Sequence, residues 1–126
     1  LSGRDGTLKE PADKVAIITG AGRGIGLGIA QYFAQRGYRV VIAENNPTTG
    51  QEAENTITAE GGKAVFIHTA VRNEDSVEKM VEQIQARWQR IDVLINNAAI
   101  GFTKHPCLLA LARTVERSPH GPLFMC

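Results

Sequence analysis

Four glycines fall within seven residues, Gly20, Gly22, Gly24 and Gly26, directly after the apolar β-branched run Val15 to Ile18. A helical pattern follows at once, with Ile25, Ile29 and Phe33 at i, i+4 spacing. The chain must therefore leave a strand, turn tightly and enter a helix within a few residues. Glycine lets backbone approach a ligand closely, and a helix N-terminus offers unpaired N–H groups to an anion. The anion that such a turn implies is the pyrophosphate of a dinucleotide. The competing reading is a turn required only by helix–sheet packing.

The rest of the chain repeats the alternation. Lys14–Thr19 is the first predicted strand, and residues 24–36 form a helix stopped by Gly37. Arg39–Ala43 is a second strand. Pro47 and Thr48 open a helix that runs to about Glu60 and ends at Gly61-Gly62. Lys63–Thr69 is a third strand. Asn73 and Asp75 offer N-caps for a long helix with a buried stripe of Val77, Met80, Val81, Ile84 and Trp88. Ile91–Ile95 is a fourth strand, and Leu123–Cys126 a fifth. Strands alternating with helices predict βαβ units and an α/β, doubly wound parallel sheet of the Rossmann type. In such a sheet the ligand lies at the carboxyl ends of the strands. That rule aligns the glycine turn with the Ala43–Asn45, Thr69–Arg72 and Asn96–Ile100 turns along one rim.

The glycine turn fits no register of G-x-G-x-x-G. It reads T-G-x-x-x-G-x-G through Thr19, Gly20, Gly24 and Gly26, and Asn96-Asn97-Ala98-Ala99 follows the fourth strand. This pair of motifs resembles the short-chain dehydrogenase/reductase family over residues 12–102. The resemblance implies an NAD(P)-dependent oxidoreductase that transfers a hydride between a nicotinamide cofactor and an alcohol or ketone. It places Gly20, Gly24 and Gly26 in the turn beside the cofactor. Arg23 and Ile25 would meet the phosphates or ribose, largely through backbone. Asn96 and Ala98 would lie against the adenosine side and the nearby ribose, although Asn96-Asn97 also reads as a strand-ending Asx turn. Ala70 and Val71 fall on the adenine side. The family often has Asp at the position of Ala70, so one polar adenine contact is missing.

Glu44 ends the second strand, eighteen residues beyond Gly26. A carboxylate there accepts hydrogen bonds from both adenosine ribose hydroxyls and repels a 2′-phosphate, favouring NAD over NADP. Two points temper this: Glu is one methylene longer than the more usual Asp, and Arg23 is placed to help a 2′-phosphate. A solvated strand-end charge is the bland alternative.

The family's catalytic Tyr-x-x-x-Lys does not occur. Tyr32 and Tyr38 are the two tyrosines, and Arg36 and Ile42 stand where each would need Lys. Gly121-Pro122-Leu123-Phe124 resembles the stretch leading into the family's fifth strand, which puts Ser118 at the position of the family's helix Asn. Residues 107–119 are irregular, with Arg113, Arg117 and Pro119 where the family has an acidic helix; a divergent loop or a local reading-frame error accounts for them. The expectation is a cofactor-binding half, residues 14–126, with a sheet incomplete after its fifth strand. Alone it should be inactive, weakly stable and self-associating, with Val93 and Ile95 near an open surface. The alternative function is a dinucleotide-binding fragment without chemistry. Intact relatives in the family associate as dimers or tetramers, which implies a homo-oligomer.

Composition narrows the partners. The 126 residues carry a net charge of +1, which gives no reason to expect nucleic acid or a membrane surface. No apolar run approaches the ~18–20 residues of a membrane span. Residues 1–13 read as a flexible lead-in without a signal-peptide core. Cys107 and Cys126 form no disulfide framework, and a reducing, cytoplasmic setting follows. His68, His105 and His120 show no metal-ligand grouping. Lys79, Arg87 and Arg90 read as a mixed-charge helix face.

Overall fold

The computed structural model describes residues 14–70 and 73–97, and the backbone of 123–125. Readings that fall on residues 1–13, Val71, Arg72, Ala98 to Pro122 (Ser118 among them) and Cys126 lie outside the described residues.

Among the described residues, five strands and three helices follow in the order β1 (Val15–Thr19), α1 (Gly24–Gln35), β2 (Arg39–Glu44), α2 (Pro47–Ala59), β3 (Lys63–His68), α3 (Glu74–Trp88), β4 (Val93–Asn96) and β5 (Leu123–Met125). The strands form one sheet in the order β3-β2-β1-β4-β5, and every pairing is parallel. The doubly wound expectation holds. β1 is central and buried along its whole length, as its unbroken apolar run requires of a strand covered on both faces.

Alternate residues of the strands feed two cores. Val15, Ile17, Val41 and Leu94 pack with Val77, Met80, Val81 and Ile84 of α3. Ala16, Ile18, Val40, Ile42, Val93 and Ile95 pack with Ala30 of α1 and with Ala53 and Ile57 of α2. Two helices thus cover one face and α3 the other. Gly50 sets how closely α2 approaches: a Cβ there would overlap the Phe66 ring of β3.

The helix ends follow local chemistry. In α2, Asn46 caps the N-terminus by accepting from the amides of Thr48 and Thr49, at 2.9 and 3.2 Å. Asn73, not Asp75, caps α3, accepting from the Ser76 amide at 3.0 Å. Both α1 and α2 end in Schellman turns. Tyr38 N–H donates to Phe33 O and Gly37 N–H to Ala34 O in one; Gly62 N–H donates to Ile57 O and Gly61 N–H to Thr58 O in the other. Gly37 and Gly61 supply the positive φ that these turns need.

Several expectations are corrected. Val93 and Ile95 are not near an open surface; they are 4% and 6% exposed, inside the α1/α2-side core. β4 starts at Val93 rather than Ile91: the Val15 amide goes to the Asp92 carboxylate at 2.8 Å instead of a backbone carbonyl, while the Asp92 amide donates to the Val15 carbonyl. Arg90 does not belong to the α3 face: it lies past the helix end and donates twice to Asp92, at 2.8 Å each. Those hydrogen bonds, with the Asp92 charge, hold the Arg90 guanidinium above its ordinary value against partial burial. Trp88 is only half-buried, with the Arg39 and Arg87 guanidinium groups over its ring. Ile25 leaves the apolar stripe of α1 and is 79% exposed, whereas Leu27, Ile29 and Phe33 pack on the core.

Candidate functional site

The carboxyl ends of β1, β2 and β4 carry polar residues, and the backbone draws them together. At the tip of β1 the buried Thr19 hydroxyl donates to Asn96 Oδ1 of β4 at 3.0 Å and accepts from the Asn97 amide at 2.9 Å. Asn97 Nδ2 donates to the Gly20 carbonyl at 3.2 Å. These bonds tie the glycine turn to the end of β4. The Gly20 amide donates to Ala43 O of β2 at 2.9 Å, which ties the same turn to the strand on the other side.

The turn then lifts into α1. Gly20 and Gly24 have φ of 65° and 62°, the left-handed region that favours glycine. A Cβ on Gly24 would meet nothing within 4 Å, so the surface over the helix start is open. Gly26 is different. It is buried, and a Cβ there would come within 3.0 Å of the Gly20 carbonyl oxygen and of Asn97 Nδ2. Its absent side chain serves the seat of the helix on the turn.

Arg23 stands at the N-cap of α1 in extended conformation and makes no side-chain cap, and the first turn carries no acidic residue. Among the three described helices, α1 alone has an N-terminus without a side-chain cap. Its first amides are donors without a side-chain acceptor at the end where the helix dipole is positive. Arg23, Gly24 and Ile25 are all exposed around it. This is a fitting seat for a pyrophosphate.

Glu44 lies next to it, at the end of β2. One carboxylate oxygen accepts from the Gly22 amide at 3.0 Å and the other from the Asn46 amide at 3.1 Å. The side chain is therefore held against the glycine turn and not adrift in solvent. Carboxylate oxygens accept more than one hydrogen bond each, so both keep capacity for further donors. At the tip of β3, the Thr69 amide donates to Glu44 O, and the Ala70 amide to Ser76 Oγ at 2.9 Å. His68 is exposed, with Nε2 2.9 Å from Asn45 O.

The structure thus brings Gly20, Arg23, Gly24, Ile25, Gly26, Glu44 and Asn96 to one rim, with Ala70 at the tip of the neighbouring strand; Val71 and Ala98 lie outside the described residues. Sequence reasoning gave no site role to Gly22 or to the side chains of Thr19 and Asn97. The signal for Thr19 and Asn97 was present, since each flanks a motif glycine or asparagine. For Gly22 no signal existed, because its partner is twenty-two residues away.

Comparison with known proteins identifies the family. The model of the short chain dehydrogenase family matches residues 14–125. An uncharacterised oxidoreductase of Thermotoga maritima is 45% identical over 91 residues, which are 72% of this chain and 36% of that protein. The crystal structure of a short chain dehydrogenase from Bacillus anthracis superposes with a TM-score of 0.64 at 45% identity, covering 68% of this chain and 34% of that one. A metagenomic short-chain oxidoreductase in complex with NADP superposes with a TM-score of 0.70 at 29% identity, covering 85% of this chain and 55% of that one. The chain spans about a third of the length of the curated relatives it matches.

Proposed function

The chain belongs to the short-chain dehydrogenase family, and on that premise we propose that residues 14–126 form the dinucleotide-binding part of an NAD-preferring oxidoreductase acting on an alcohol or ketone. The observation that carries this reading is the uncapped, glycine-opened N-terminus of α1 beside a fixed strand-end carboxylate. The α1 amides bind the pyrophosphate. Glu44 accepts from the adenosine ribose hydroxyls, and Asn96 and Ala98 border the adenosine half. Ala70 and Val71 line the adenine side, where a small apolar residue offers contact but no hydrogen bond. Arg23 adds positive charge near the phosphates.

The nicotinamide, when bound, supplies the hydride acceptor or donor. This segment contributes binding and orientation. Residues 1–126 contain no Tyr-x-x-x-Lys, so proton transfer to or from substrate is assigned to the whole protein and not to these residues. Association into a homo-oligomer and a reducing, cytoplasmic setting belong to the same reading. Among the described residues no helix is long and apolar enough to cross a membrane.

Cofactor choice tests the reading most directly. The charge of Glu44 faces the position of a 2′-phosphate, and a hydrogen bond to a charged group contributes roughly 1.5–3 kcal/mol, or about ten- to 150-fold in affinity. Calorimetric titration of the intact protein should therefore give tighter binding of NAD than of NADP by at least about tenfold. Equal affinities, or a preference for NADP, would overturn the role of Glu44. NAD binding without NADH formation over a panel of alcohols would leave a dinucleotide-binding protein without this chemistry.

A further inference from the structure

Gly22 lies in the glycine turn, yet it is not one of the residues that the T-G-x-x-x-G-x-G pattern requires. Its φ is outside the left-handed region, so its backbone conformation does not call for glycine. It is buried all the same, and the reason lies in what surrounds it. A Cβ on Gly22 would stand 2.8 Å from Glu44 Oε1 and 2.7 Å from Thr49 Oγ1. Both are side-chain atoms, and no backbone atom is among the three nearest. The space that a side chain at position 22 would fill is occupied by the Thr49 hydroxyl and by the Glu44 carboxylate, which accepts from the Gly22 amide at 3.0 Å.

From this geometry we infer that Gly22 is a positioning residue for cofactor specificity, matched to the length of Glu44. The inference rests on the reading of Glu44 as the partner of the ribose. A glutamate is one methylene longer than an aspartate. Glu44 spends that length reaching across to the glycine turn, and it gets there only because position 22 has no Cβ. Its second oxygen accepts from the amide two residues on, Asn46 N. An aspartate makes that second bond as an ordinary Asx turn. The long carboxylate and the bare turn are thus one device. A methyl group at position 22 would push the Glu44 carboxylate off its seat, weakening both its hold on ribose hydroxyls and its repulsion of a 2′-phosphate. It would also release the amide of position 22, a donor that a 2′-phosphate can use. Shortening the carboxylate removes the conflict with residue 44, and the Thr49 hydroxyl clears the remaining contact by turning about χ1, giving up its 3.3 Å bond to the Asn46 carbonyl.

The test is a double-mutant cycle on the intact protein. NAD and NADP are titrated separately, and the ratio of their Kd values is read together with the thermal midpoint. Gly22→Ala should lower the NAD preference about tenfold, the scale of one charge-assisted hydrogen bond. The thermal midpoint should fall only modestly, because no backbone atom is among the three nearest neighbours of the added methyl group. Glu44→Asp should retain most of the preference. In the double variant Gly22→Ala/Glu44→Asp the ratio should lie within about twofold of that of Glu44→Asp alone, the strong coupling expected of residues in contact. A glycine serving the turn alone would not show rescue by shortening the carboxylate. The inference is overturned if Gly22→Ala leaves the ratio unchanged while Glu44→Ala lowers it, since the Glu44 reading then stands without its positioning partner. It is also overturned if the tenfold loss persists undiminished in the double variant. A wild-type protein that binds both cofactors equally would sink the Glu44 reading and the inference together.

Discussion

Gly26 and Thr19 show how single residues fix the site before any ligand arrives. Gly26 reads from sequence as a residue beside the cofactor or at the helix–strand contact, and in the structure its missing Cβ makes room for the Gly20 carbonyl and Asn97. Gly26→Ala should therefore destabilise the fold by about 3 kcal/mol, the upper end for overpacking, since a backbone carbonyl yields less than a side-chain tip. A denaturant midpoint unchanged from wild type would contradict this. Thr19 makes a complementary case. Its hydroxyl is buried and bonds both Asn96 and the Asn97 amide. Thr19→Val keeps the shape and removes the hydroxyl, leaving the Asn97 amide short of an acceptor. A loss of about 1–3 kcal/mol is expected from urea unfolding. These roles were half legible in the sequence. The strand-turn-helix pattern located Thr19 and Gly26, but the residues they meet lie more than seventy positions away in the case of Asn96 and Asn97. No local spacing carries that information.

Among the elements, the helix starts were easier to read than the helix ends. Pro47 marked the start of α2, which Asn46 caps in the structure, and Asn73 caps α3 as its residue type suggests. Gly37 and Gly61 announced the ends of α1 and α2. The end of α3 carried no such sign, because the left-handed position is filled by Gln89 at φ 58°. A side chain there costs about 1–2 kcal/mol in local sterics. Gln89→Gly relieves this while adding freedom to the unfolded chain, so a net gain of about 0.5–1 kcal/mol is expected. Thermal denaturation of the variant measures it, and a lower midpoint would show that Gln89 makes a compensating contact. The stripe of α1 was misread at Ile25 for a related reason. Helical periodicity assigns a face but not the depth at which a helix enters the molecule. Ile25 points to solvent from the first turn, although Gly26 and Leu27 of that same turn face inward, and Ile29 and Phe33 reach the core.

At the scale of the whole molecule, the sheet has two unlike rims. The amino-terminal rim carries Arg39 against Trp88, and Arg90 paired with Asp92, which in turn holds the Val15 amide. Its charged groups are engaged with each other and with the ends of strands. The carboxyl-terminal rim carries the uncapped start of α1 and the Glu44 carboxylate, on either side of the strand tips where β1 lies between β2 and β4. The order β3-β2-β1-β4-β5 reverses direction at β1, and ligands of open α/β sheets bind at the carboxyl ends beside that reversal. On the proposed reading the ligand meets the carboxyl-terminal rim and not the amino-terminal one. Amide hydrogen exchange separates them. Adding NAD to the intact protein should slow exchange at Gly24, Ile25 and Gly26, whose amides the proposed reading gives to the pyrophosphate, and leave Val15 and Asp92 unchanged relative to global stability. A ligand that binds only the folded state also stabilises it by about 2.7 kcal/mol at a concentration of 100 Kd. The thermal midpoint should therefore rise with NAD, and rise less with NADP at the same concentration. Protection confined to the Arg90–Asp92 rim would place the cofactor at the wrong end of the strands. A larger shift with NADP would mean that Arg23 outweighs the Glu44 charge in setting cofactor choice.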